Sequence, residues 1–83
     1  MIISAELSLY PLANEAYRDV ILSFIERLNK YEGLEIHTNS MSTQIFGDYH
    51  QVMTAISREL EVVYQEVPPH VLVCKFINKD LRP

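Results

Sequence analysis

The chain has 83 residues, of which 48% are hydrophobic and 22% charged, which allows one compact domain and excludes a disordered or collagen-like polymer. No apolar run approaches the ~20 residues of a membrane span. Seven Lys and Arg against eleven Asp and Glu give a net charge of -4, so phosphate neutralisation, the main source of nucleic-acid affinity, is not on offer.

Residues Ile2 to Tyr10 alternate, with Ile3, Ala5, Leu7 and Leu9 on one side and Ser4, Glu6, Ser8 and Tyr10 on the other. This period of two predicts a strand with one face on a core, ended by Pro11, which has no N–H for a ladder. Asn14 is a candidate helix N-cap, with Glu15 and Asp19 at the positive end of the helix dipole. Tyr17, Val20, Ile21, Phe24, Ile25, Leu28 and Tyr31 then recur in steps of three and four, predicting an amphipathic helix with Gly33 as its left-handed terminator.

Leu34, Ile36 and Thr38 alternate with Glu35, His37 and Asn39, giving a second strand. Ser40-Met41-Ser42 reads as a turn and Thr43 to Phe46 as a short third strand closed by Gly47. Asp48 reads as the N-cap of a second helix, with Gln51 as capping-box partner. Val52, Met53, Ile56, Leu60, Val63 and Tyr64 form that helix's apolar stripe, and Pro68-Pro69 forbids its continuation. Val71 to Ile77 is strongly β-forming. Residues 79–83 are polar and predicted to be a loose C-terminal tail after a single domain spanning 1–78.

The order β-α-β-β-α-β predicts an α+β, ferredoxin-like sandwich. Its antiparallel sheet would have the order 4-1-3-2, with both helices on one face. This topology brings Tyr10-Pro11-Leu12, Ser40 to Thr43 and Pro68-Pro69-His70 to one end of the sheet, and Gly33, Asp48 and Asn78 to the other. At this size, self-association is expected to supply part of the stability, and the fourth strand at a sheet edge invites pairing. One cysteine, Cys74, and no basic n-region before an apolar stretch predict a cytoplasmic protein without a signal peptide.

Several chemistries lack their residues. There is no Cys-x-x-Cys and no Gly-rich phosphate loop, the first loop has no arginine for acylphosphatase-like catalysis, and the third strand offers Phe46 alone for base stacking. His37, His50 and His70 fall on separate elements, which gives no converging metal site. Cys74 reads as a small buried group without a cationic neighbour on its own face. Two features remain. Glu6 lies mid-strand in a polar row with Ser4, Ser8 and Tyr10, either a solvated sheet face or a polar wall for a ligand or an oligomer contact. The Ser40-Met41-Ser42-Thr43 turn surrounds a thioether with hydroxyls. Met41 either plugs the core end or packs on a flat ring.

The segments Ile3-Ser4-Ala5-Glu6-Leu7-Ser8-Leu9-Tyr10-Pro11-Leu12, Met41-Ser42-Thr43 and Gly47-Asp48 resemble the YkoF-like thiamine/hydroxymethylpyrimidine-binding family, from Ile3 to about Asn78. The resemblance implies a ferredoxin-like fold and a non-catalytic protein with no cofactor. It also implies a ligand of the thiamine class, thiamine or its hydroxymethylpyrimidine precursor, bound for sequestration or delivery in salvage or transport. Some members carry two such domains in one chain, and single-domain relatives form dimers or tetramers, so a homodimer or homotetramer is expected here. By residue match, the pocket candidates are Glu6, Ser8, Tyr10, Met41, Ser42 and Thr43. The alternative is an oligomeric regulatory or interaction module without a thiamine ligand.

Overall fold

The computed structural model describes residues 1–12, 18–66 and 69–83. The elements follow in the order β1 (Ile2–Pro11), α1 (Arg18–Asn29), β2 (Glu35–Thr38), β3 (Thr43–Asp48), α2 (Tyr49–Glu66) and β4 (His70–Ile77). The predicted cap Asn14, with Glu15, Tyr17 and Pro68, lies outside the described residues.

The four strands form one sheet in the order β2-β3-β1-β4, which counted from the β4 edge is 4-1-3-2. All three pairings are antiparallel. The alternation in β1 sorts its side chains as expected: Ile3, Ala5 and Leu7 join Ile45 in a buried cluster with Phe24 and Leu28 of α1 and Val52, Ala55, Ile56 and Val63 of α2. Both helices therefore cover one face of the sheet, and the opposite face carries Ser4, Glu6 and Ser8. No helix among the described residues is long and apolar enough to cross a membrane.

Differences from the sequence expectation have local causes. Gly33 does adopt a left-handed φ of 84°, but α1 ends earlier, at Asn29. The chain tightens there through bonds from the Lys30 N–H to Arg27 O and from the Tyr31 N–H to Leu28 O, each 3.2 Å, so Gly33 shapes the turn into β2 instead of capping the helix. Gly47 does not close β3, which runs on to Asp48. A Cβ on Gly47 would meet Leu34 Cδ2 at 2.6 Å and Gly33 O at 3.2 Å; the glycine makes room for the Leu34 side chain and the Gly33 carbonyl and does not form a turn.

Asp48 Oδ2 accepts the N–H groups of His50 (3.1 Å) and Gln51 (3.4 Å), as an N-cap does. These bonds hold the Asp48 carboxyl below its usual range. The side chain of Gln51 lies against Gly33. In α2, Met53 and Tyr64 are exposed while Ala55 is buried. The inward face runs through 52, 55, 56, 59 and 63, and Met53 and Tyr64 each lie one step, ~100°, beyond its edge.

Glu59 is thus a carboxylate on the inward face. Arg27 Nε donates to its Oε1 and the Tyr31 hydroxyl to its Oε2, both at 2.6 Å. Burial pushes the Glu59 carboxyl up, and these two donors outweigh it and hold the group low. The contact ties α2 to α1.

Candidate functional site

The sheet register determines which polar side chains meet on the uncovered face. Glu6 stands opposite Gln44 of β3 and Lys75 of β4, and Gln44 stands opposite His37 of β2. One row across all four strands therefore reads His37, Gln44, Glu6, Lys75. Lys75 Nζ lies 3.4 Å from Glu6 Oε1, and the Ser42 hydroxyl donates to Glu6 Oε2 at 3.0 Å. Glu6 is half-exposed, not buried, and the row holds both a carboxylate and an ammonium. Sequence reasoning missed Lys75 as a partner of Glu6, because cross-strand register is not visible in either strand alone. A second pair on this face joins His37 Nε2 to Glu35 Oε2 at 2.6 Å, and the His37 ring meets Phe46 edge-on, with centroids 5.7 Å apart.

The β2–β3 turn is built by Asn39, not by the serines. Its Oδ1 accepts the N–H groups of Met41 (2.8 Å) and Ser42 (3.0 Å), and the Asn39 N–H donates to Ser42 O at 3.0 Å. With the turn so satisfied, the hydroxyls are released for other work. Ser42 turns to Glu6. Ser8 donates to Met41 O at 3.4 Å. Met41 is 86% exposed, so it does not plug the core.

Thr43 departs from the expectation that it joins Ser42 beside Glu6. It pairs with Leu7, whose side chain faces the helices, so Thr43 faces them too. It is 5% exposed, and its hydroxyl meets that of Thr38 at 3.1 Å. Successive strand residues point to opposite faces, so Ser42 and Thr43 cannot both line the open face.

The six candidates consequently divide between two adjoining hollows. One, of about 420 Å³, lies on the open face and is lined by Glu6, Ser8, Met41, Ser42, Val73 and Lys75. The other, of about 290 Å³, opens at the end of the sheet under α1. It combines Tyr10, Thr43, Ile21 and Phe24 with the same Ser8, Met41 and Ser42. Asn39 borders both. The turn is thus a lip between a mouth lined by uncharged side chains and a charged groove.

The other histidines and Cys74 line neither hollow. His50 is on α2 with its ring edge-on to Tyr49, and His70 is buried at the start of β4. Cys74 pairs with Leu7 toward the helices, and burial raises its thiol pKa, which disfavours the nucleophilic thiolate.

The model of the YkoF-related family matches residues 2–78. The chain belongs to the YkoF-related family. Among solved structures, hypothetical protein MJ1052 from Methanocaldococcus jannascii is 25% identical, with a TM-score of 0.83 over 99% of this chain and 84% of that one. Protein SP2199 from Streptococcus pneumoniae is 23% identical, with a TM-score of 0.86 over 98% and 90% of the two chains. A putative thiamine biosynthesis/salvage protein, TM0486 from Thermotoga maritima, is 16% identical, with a TM-score of 0.83 over 95% and 85%. No curated protein matches the chain.

Proposed function

We propose that this protein is a non-catalytic, ferredoxin-like binder of thiamine or its hydroxymethylpyrimidine precursor, acting in the cytoplasm by sequestration or delivery. Family membership and the thiamine assignment of the Thermotoga neighbour support the ligand class. The observation that carries the reading is Ser42, which lines both hollows and donates to Glu6. In the proposed pose the aminopyrimidine ring enters the mouth, against Phe24 and under the Met41 thioether, with the Ser42 and Thr43 hydroxyls at its polar edge. The thiazolium lies outward over the Glu6 carboxylate. Apolar walls with a few placed polar groups are what a small flat ligand needs, and a carboxylate favours the cation.

Calorimetric titration with thiamine, its phosphates and the pyrimidine alone tests this. Binding of thiamine or the pyrimidine is the expected result; heat from none of them refutes it. The second reading, an oligomeric interaction module, is favoured by one specific feature: Val73 and Ile77 of edge strand β4 lie exposed on the open face. The two readings are compatible in a homo-oligomer whose partner subunit closes the groove.

A further inference from the structure

Phe46 is 3% exposed and Ser4 5%, yet both sit on the sheet face that no helix covers. Phe46 stands opposite Ser4, and it is not part of the buried cluster that the helices form on the other face. The His37 ring meets one edge of it, and the C-terminal segment lies over the same face. Residues 79–82, expected to be loose, cross this face along one register row. The row reads Ile77 of β4, Ser4 of β1, Phe46 of β3 and Glu35 of β2. The Ser4 hydroxyl donates to Lys79 O at 2.6 Å and accepts the Leu81 N–H at 2.8 Å. Arg82 reaches Glu35 at 3.6 Å on the far edge and folds back on Asp80 at 2.8 Å. Leu81, with Phe46 and Ile77, borders a hollow of about 480 Å³ that also touches Glu6 and Lys75.

The hydrogen bonds of Lys79 and Leu81 to the sheet both pass through the Ser4 hydroxyl, and the Arg82–Glu35 ion pair is half-exposed, a kind of contact that holds weakly. We propose that residues Lys79–Arg82 are a releasable strap latched on Ser4. In the free protein the strap covers Phe46 and narrows an aromatic-floored extension of the open-face groove, fitted to a flat apolar ring. Release lengthens the groove by one register row beyond Glu6 and exposes Phe46. This proposal does not depend on the thiamine reading, and its test uses no thiamine.

The test compares the full chain, Ser4→Ala and a chain ending at Asn78, with anilinonaphthalenesulfonate as an apolar-ring probe and hydrogen exchange at the Leu81 amide. Ser4→Ala removes both latch bonds and adds no volume, so Leu81 exchange should quicken by about fivefold or more. Dye fluorescence should rise at least about threefold in both variants, with unchanged far-ultraviolet circular dichroism. Unchanged Leu81 exchange in Ser4→Ala overturns the latch. Unchanged dye fluorescence in the folded shortened chain overturns the covered site. Should the shortened chain not fold, Leu81→Asp, which sets a charge over Phe46 in the full chain, takes its place with the same expected rise.

Discussion

Glu6→Gln preserves the shape of the side chain, removes its charge and turns one acceptor oxygen into a donor amide. In the free protein the carboxylate has two partners, the Ser42 hydroxyl at 3.0 Å and the Lys75 ammonium at 3.4 Å. Lys75 is 78% exposed and Glu6 40% at the side chain, so their attraction is screened and contributes at most about 1 kcal/mol. A thiazolium seated on the carboxylate would displace that competitor. A charge-assisted contact of this kind is worth roughly 1.5–3 kcal/mol, so Glu6→Gln should weaken thiamine by about tenfold or more. The neutral pyrimidine, held in the mouth, should bind as before. Lys75→Met removes the competing cation and should act with the opposite sign, tightening thiamine by up to about fivefold. Calorimetry with both ligands on both variants reads all four affinities. Equal affinities for Glu6→Gln and the natural chain would refute the reasoning and leave the Glu6 row a solvated sheet face. Weaker thiamine binding by Lys75→Met would show that the ammonium, not the carboxylate, faces the ligand.

Three further predictions follow from the frame. Asp48→Ala removes the cap of α2 and should cost about 0.5–2 kcal/mol in chemical denaturation, with ligand affinity unchanged, because Asp48 lies at the end of the sheet opposite the lip; a large affinity loss at unchanged stability would contradict this. The Glu59 carboxyl is held below its ordinary 4.5 and the Tyr31 phenol, bonded to it, above its ordinary 10.0. Their contribution is therefore whole between those values, falls as pH drops through the lowered carboxyl pKa, and falls again as pH rises through the raised phenol pKa. The melting-temperature gap between the natural chain and Glu59→Gln should accordingly shrink below pH 4.5, and a gap constant from pH 3 to 7 would count against the triad. Sedimentation at micromolar protein should give a mass of two chains or more, since edge strand β4 and the open face both expose apolar side chains; a single-chain mass would argue that the strap suffices to cover that face.

The elements were legible in the sequence because each is written in a local period. The alternation from Ile3 to Leu9 fixes both the strand and the buried side, and the three-and-four spacing through Phe24 and Leu28 does the same for α1. Even the turn left a trace, although its organiser is Asn39, one residue outside the stretch that drew notice. What could not be read is whatever depends on how two separated segments slide against each other. Lys75 and Glu6 are 69 positions apart, and a shift of one residue between β1 and β4 would have turned Lys75 to the helices.

Thr43 teaches the same lesson at closer range. Beside Ser42 it looks like part of one hydroxyl cluster, but a strand begins between them and period two divides the pair. The site therefore sits where local rules stop: a lip at the start of β3, a charged row made by register, and a strap whose four residues have no period to betray it. Registers of neighbouring strands are coupled through β1, the strand that Glu6, Ser4 and Ser8 share. A change that slips β4 against β1 would part Lys75 from Glu6 and Ile77 from Ser4 together. In this fold the charged groove and the strap's seat are consequently one geometric object, and any variant that alters one by register should alter the other.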